Sequence, residues 1–151
     1  MISETRTQIK FPSEEFFKAL VKAANETLSE KSLGFAVLKM GFEIVGANAI
    51  KRYVINFDNY EVSFEGEVES FDDSDVEAFV TGQLPTYLEM FKNIQANSKA
   101  TGSNTFNALT MAGFPLKIQG KDQVAVDKVF RFAETIQHFL DSASSLGEIT
   151  S

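Results

Sequence analysis

The chain has 151 residues, 44% of them hydrophobic and 23% charged, with a formal net charge of −7 and no cysteine. Such a composition describes one ordinary globular domain that buries a core without staples. The acidic balance argues against nucleic acid and anionic membrane surfaces, which both need clustered Lys and Arg.

The missing cysteine excludes disulfide frameworks, thiolate catalysis and zinc ribbons, and the single histidine excludes His-rich metal sites. No stretch offers ~18 unbroken apolar residues to span a bilayer, and no N-terminal apolar run reads as a signal peptide. The expectation is a cytoplasmic protein without a transmembrane segment. Its one oddity is 15 Phe beside 3 Tyr and no Trp. Phe adds apolar area with no polar atom to satisfy. Most of the Phe then fill a core, and some, with the adaptable thioethers of Met40, Met90 and Met111, are candidates to line an apolar ligand space.

Residues 1–12 read as a flexible N-terminal arm, 13–143 as a single domain and 144–151 as a C-terminal tail. Ser13 is a helix N-cap, followed by Glu14 and Glu15 in the first turn. Phe16, Phe17, Leu20, Val21, Ala23, Ala24 and Leu28 share one face of that helix, which runs to about Glu30. Residues 33–50 are apolar and punctuated by Gly34, Gly41 and Gly46. They read as a short helical piece and a strand near residues 42–47.

A hairpin follows. Tyr53, Ile55 and Phe57 alternate with Arg52, Val54 and Asn56, Asp58-Asn59 forms a turn, and Val62 and Phe64 continue the alternation. A two-residue loop at Asp58-Asn59 sets Phe57 opposite Tyr60, Ile55 opposite Val62 and Tyr53 opposite Phe64. The wet face carries Glu61, Glu65, Glu67 and Glu69, with Asp72, Asp73 and Asp75 beyond. These read as solvated edge charges, because the run lacks the glycine-centred loop of a calcium site.

Ser74 and Glu77 have capping-box spacing, which predicts a short helix with Val76, Phe79 and Val80 inward and Gly82 as its stop. Pro85 opens another helix, with Leu88, Phe91 and Ile94 on one face and Tyr87 and Met90 flanking it. Residues 97–105 read as a flexible loop. An apolar segment, residues 106–111, ends at Gly113, and a strand follows over 114–119. From Asp122 a long helix places Val126, Val129, Phe130, Phe132, Ala133, Ile136, Phe139 and Leu140 on one half. An apolar half that wide covers a sheet or walls a cavity.

No catalytic constellation emerges. The glycines are isolated, so there is no phosphate-binding loop; G-x-S-x-G is absent; and His138 falls on the polar side of the last helix. No cofactor and no metal site is expected.

Two stretches carry a resemblance. DSDVEAFVTGQL, from Asp73 to Leu84, looks like the post-hairpin helix of the sterol carrier protein type-two family. MAGFPLKIQGKDQVAVDKVF resembles that family's final strand and closing helix, with Phe114-Pro115 replacing the usual Gly-to-Lys step and Lys121-Asp122 following Gly120. The resemblance covers residues 16–140 in element order and the last third in motif detail. It implies an α+β fold: a mainly antiparallel sheet of about five strands, covered on one face by helices, with a long C-terminal helix. It also implies a tunnel between sheet and helices for an apolar small molecule such as a fatty acid, acyl-CoA or sterol, held without catalysis. Phe79, Met90, Phe91, Phe106, Leu109, Met111 and Phe132 are the candidate lining. Two departures stand beside it: residues 68–72 look short for a family strand, and the closing Ile149-Thr150-Ser151 is not a peroxisomal S-K-L address.

Two other readings share the fold. One is a protein-interaction module with a filled core, working as a homodimer through its sheet. The other is an enzyme or enzyme accessory domain using the Glu-rich edge at Glu65 or Glu67.

Overall fold

A computed structural model describes residues 7–31, 36–72 and 75–151, and the side chains of all of these except 27–31. In chain order the elements are β1 (Gln8–Lys10), α1 (Glu14–Lys31), β2 (Ala36–Val45), β3 (Ile50–Asn59), β4 (Glu61–Val68), β5 (Ala78–Gln83), α2 (Leu84–Asn97), α3 (Phe106–Leu109), β6 (Lys117–Gly120), α4 (Gln123–Arg131), α5 (Ala133–Asp141) and β7 (Glu148–Thr150). Five strands form one sheet in the order β4-β3-β2-β5-β6. All its pairings are antiparallel except β2 with β5, so the sheet is mixed and mainly antiparallel. The α+β expectation holds.

One face of the sheet meets the helices. Ala36, Leu38, Met40, Phe42 and Ile44 alternate inward from β2, and all are buried. Phe17 of α1 stacks on Tyr53 at 4.5 Å and tilts against Phe42 at 5.9 Å. From α5, Phe139 meets Phe57 edge-on at 5.5 Å. Ser13 caps α1 as its sequence predicts, its Oγ accepting from the Phe16 N–H at 3.0 Å.

Several expectations are corrected. Residues 36–45 form strand throughout, with no helical piece; Leu33 and Gly34 lie outside the described residues. The hairpin pairs Phe57 with Val62 and Ile55 with Phe64, a register two residues from the expected one. Its loop is Asn59-Tyr60, closed by the Asp58–Glu61 pair, because Asn59 takes the left-handed conformation at φ 63°. A shift of two keeps residues 60–64 on their faces, with Tyr60 now 51% exposed; beyond Phe64 the faces exchange, and Glu67 stands opposite Tyr53. Val54 faces Gly66 and Ile55 faces Phe64, which leaves Glu65 as the extra residue of a β-bulge.

The helix expected around residues 74–82 is strand β5, the parallel neighbour of β2; its capping serine, Ser74, lies outside the described residues. Ala78, Val80 and Gly82 repeat at period two, and they face the core as small or β-branched residues. A Cβ on Gly82 would overlap the Leu116 side chain. Phe79 therefore points to the opposite face.

Residues 7–12 and 144–151 differ from the expected arm and tail, residues 1–6 lying outside the described residues. β1 and β7 pair in parallel, Ile9 opposite Ile149, and both isoleucines are buried. Phe11, just beyond β1, is fully buried among Phe16, Tyr87 and Phe91. The long closing helix is divided at Phe132 into α4 and α5. Of its apolar half, Val129, Ala133, Ile136, Phe139 and Leu140 are buried, Val126 and Phe132 half-buried, and Phe130 is 49% exposed.

Candidate functional site

The outer face of the sheet carries charge. The connection from β4 to β5 crosses it, and each contact along the crossing is made by a residue whose side chain alternates outward. Arg52 donates from Nη1 to the Glu69 carbonyl. Phe71 lies over Gly41 and against Phe79, with ring centroids 4.8 Å apart. The Lys39 ammonium lies 3.1 Å from Asp75 and 3.4 Å from Glu65. Glu77 accepts from Lys128 Nζ at 2.8 Å and from the Lys39 N–H at 3.1 Å.

Burial alone would raise the Glu77 pKa, but these two donors outweigh it and hold the carboxyl below its ordinary value. Lys39 is held up by its bond to Asp75, and Asp75 is held down by the same bond. Beside them, Glu43 accepts from Arg52 Nε and Thr81 Oγ1, each at 2.7 Å. Every one of these carboxylates is matched to a cation or hydroxyl, so the face reads as a latch on the crossing segment. Among the described residues no group of His, Cys, Asp and Glu is placed to hold a metal ion.

Between sheet and helices the interior is packed with rings. Phe11, Phe16 and Phe91 meet edge to face at 4.8–5.2 Å. Tyr87 is buried with its hydroxyl 3.2 Å from the carbonyl oxygens of Glu43 and Val80, to which it donates. Burial pushes the Tyr87 phenol well above its usual range, so the group stays a neutral donor.

Of the candidate lining residues, Met90, Phe91, Phe106 and Leu109 come together as buried members of this core, with Phe132 half-buried against it. The other two do not join them. Phe79 stands on the far side of the sheet, and Met111 is 59% exposed.

The core reaches the surface in a cleft between α2 and the chain from residue 103 to 115. Thr86 and Glu89 line it from α2, Ser103 and Asn104 from the opposite rim, and Leu109, Phe114 and Pro115 from its apolar wall; its volume is about 250 Å³. The wall is built locally. Thr105 caps α3 by accepting from the Ala108 N–H at 3.2 Å, and Gln137 of α5 accepts from the Phe106 N–H at 2.6 Å. Gly113, at φ 86°, turns the chain so that Phe114 is left 43% exposed beside Leu109, which is buried. The rim is pinned by Ala100, whose N–H donates to Asp141 at 2.9 Å, and by Thr101, whose N–H donates to Asn93 at 2.8 Å. Residues 97–105, expected as a flexible loop, are therefore tied to α2 and α5.

Sequence reasoning found Leu109 and missed Phe114 and Pro115, which it assigned to the last strand. Pro115 has no N–H for a ladder, and the strand starts only at Lys117. The Phe-Pro pair was the available signal.

No protein-family model and no curated protein matches the chain. Among solved structures, a conserved hypothetical protein of Thermus thermophilus, suggested in its description to be a sterol carrier protein, matches over 99% of both chains at a TM-score of 0.67 and 13% identity. The two chains share a fold. The methyltransferase MycE of the mycinamycin biosynthetic pathway matches at a TM-score of 0.42 and 12% identity, over 88% of this chain and 39% of that one. That likeness is too loose to bear on the chemistry of this chain. No helix among the described residues is long and apolar enough to cross a membrane.

Proposed function

We propose that the protein is a non-catalytic binding domain for an apolar small molecule, taken up where the interior opens beside α2 and α3. The observation that carries this reading is the cleft itself. Its wall joins Leu109, a member of the core, to the half-exposed ring of Phe114. The fold shared over the full chain with a suggested sterol carrier supports it. Binding would be driven by desolvation, at ~0.8 kcal/mol per buried CH₂. Ten such groups give about 8 kcal/mol before ordering and association costs. Met90, Phe91 and Phe106 are packed in this state, so a long chain would enter by displacing side chains of α2 and α3 from one another. Met90 is suited to such repacking.

The test is thermal stability against added apolar compounds. A ligand that binds only the native state raises stability by RT ln(1 + [L]/Kd). A rise with chain length is the expected result, and a melting temperature indifferent to every such compound would remove the proposal.

A second reading, a protein-interaction module with a filled core, is favoured by the edge-to-face packing of Phe11, Phe16 and Phe91. It predicts that indifference.

A further inference from the structure

We infer that the cleft takes the polar end of its ligand, and that this end donates hydrogen bonds and carries no negative charge: a hydroxyl or an ammonium. The inference rests on the binding reading and names the class of molecule bound. The wall of Leu109, Phe114 and Pro115 is apolar, whereas the rim of Thr86, Ser103 and Asn104 is polar and uncharged. The single charged residue in the lining is Glu89 of α2. It is exposed and makes no ion pair among the described residues. Lys92, one turn further along α2, lines a different cleft with Gln95 and Glu148.

A carboxylate or phosphate seated in the cleft would face an unpaired like charge in a protein already at −7. The first turn of α2, at Thr86, counters with about half a positive charge. One full negative charge outweighs that half. A hydroxyl or ammonium instead finds the Glu89 carboxylate as acceptor, with the Asn104 and Ser103 side chains beside it.

The experiment is an amide NMR titration of the full chain with 1-dodecanol, dodecylamine and dodecanoate at one ionic strength. Glu89→Gln and Glu89→Lys are titrated alongside; Glu89 is exposed, so both fold, as a melting curve verifies. The alcohol or the amine should shift the amides of Glu89, Ser103, Leu109 and Phe114. Dodecanoate should bind more weakly by up to about fivefold, the scale of one exposed charge contact.

A tighter amine than alcohol identifies an ammonium ligand, and the reverse identifies a hydroxyl. Glu89→Lys should then strengthen dodecanoate and weaken the amine, with Glu89→Gln between. Dodecanoate binding the native protein as tightly as the alcohol and the amine would overturn the inference, as would an order unchanged by Glu89→Lys. Binding that leaves those four amides unmoved would overturn the cleft assignment while sparing apolar binding. No binding by any of the three compounds would remove the binding reading, and this inference with it.

Discussion

The ring of Phe71 occupies the space that a side chain on Gly41 would fill. Gly41 lies in β2, mid-sheet, opposite Val54 on one side and Phe79 on the other. The crossing segment closes over this gap, and the parallel placement of β5 beside β2 depends on the crossing. Gly41→Ala should therefore destabilise by about 1–3 kcal/mol, the cost of overpacking a filled site. Urea unfolding measures it. Adding Phe71→Ala should recover part of the loss, because the clash and its relief share one pair.

The Glu77 carboxyl links the crossing segment to α4 through Lys128. Its pKa is lower folded than unfolded, so its contribution is present above the ordinary value of 4.5 and is lost as pH falls through the folded value. Glu77→Gln should cost about 1–2 kcal/mol at neutral pH. The gap from the native protein should narrow below about pH 4.5. Urea midpoints between pH 3 and 7 give the comparison, and a gap that widens in acid would contradict this assignment.

Tyr87 ties α2 to the backbone of β2 and β5 through one hydroxyl. Tyr87→Phe removes that donor and leaves two buried carbonyl groups less satisfied, at a cost of about 1 kcal/mol. The same unfolding measurement reads it, with little change expected in apolar binding.

The cleft separates binding from stability. Phe114 is 43% exposed, so Phe114→Ser should change stability by only about 0.5 kcal/mol while weakening uptake of an apolar probe. Phe91→Ala, inside the ring cluster, should instead cost about 3–5 kcal/mol.

What was legible in the sequence is what local pattern controls. Ser13 with its following acids marked α1, Pro85 marked α2, and the eightfold apolar half of residues 126–140 marked the closing helices. Alternation put Tyr53, Ile55, Phe57, Val62 and Phe64 on one face, and that face is the buried one apart from the half-buried Phe64. Register was not legible, since Asn59 decided it by taking a left-handed conformation one residue further on. β5 read as a helix because Val76, Phe79 and Val80 also fit helical spacing. Only the neighbouring β2 strand selects the period-two alternative of Ala78, Val80 and Gly82. The pairing of β1 with β7 joins residues about as far apart in sequence as the chain allows, and no local window contains it. The cleft was half visible for a similar reason: Leu109 followed from hydrophobicity, while Glu89 and Asn104 come to line one cleft only in the folded chain.

The most direct measurement of the central claim is native mass spectrometry of the purified protein, followed by organic extraction of what it carries and by addition of 1-dodecanol, dodecylamine or a sterol. The account predicts a one-to-one adduct with an apolar compound, retained on gentle activation and accompanied by a higher melting temperature. A bare mass under all of these additions, with a melting temperature that does not move, would contradict it and leave the filled-core interaction module as the reading of this fold.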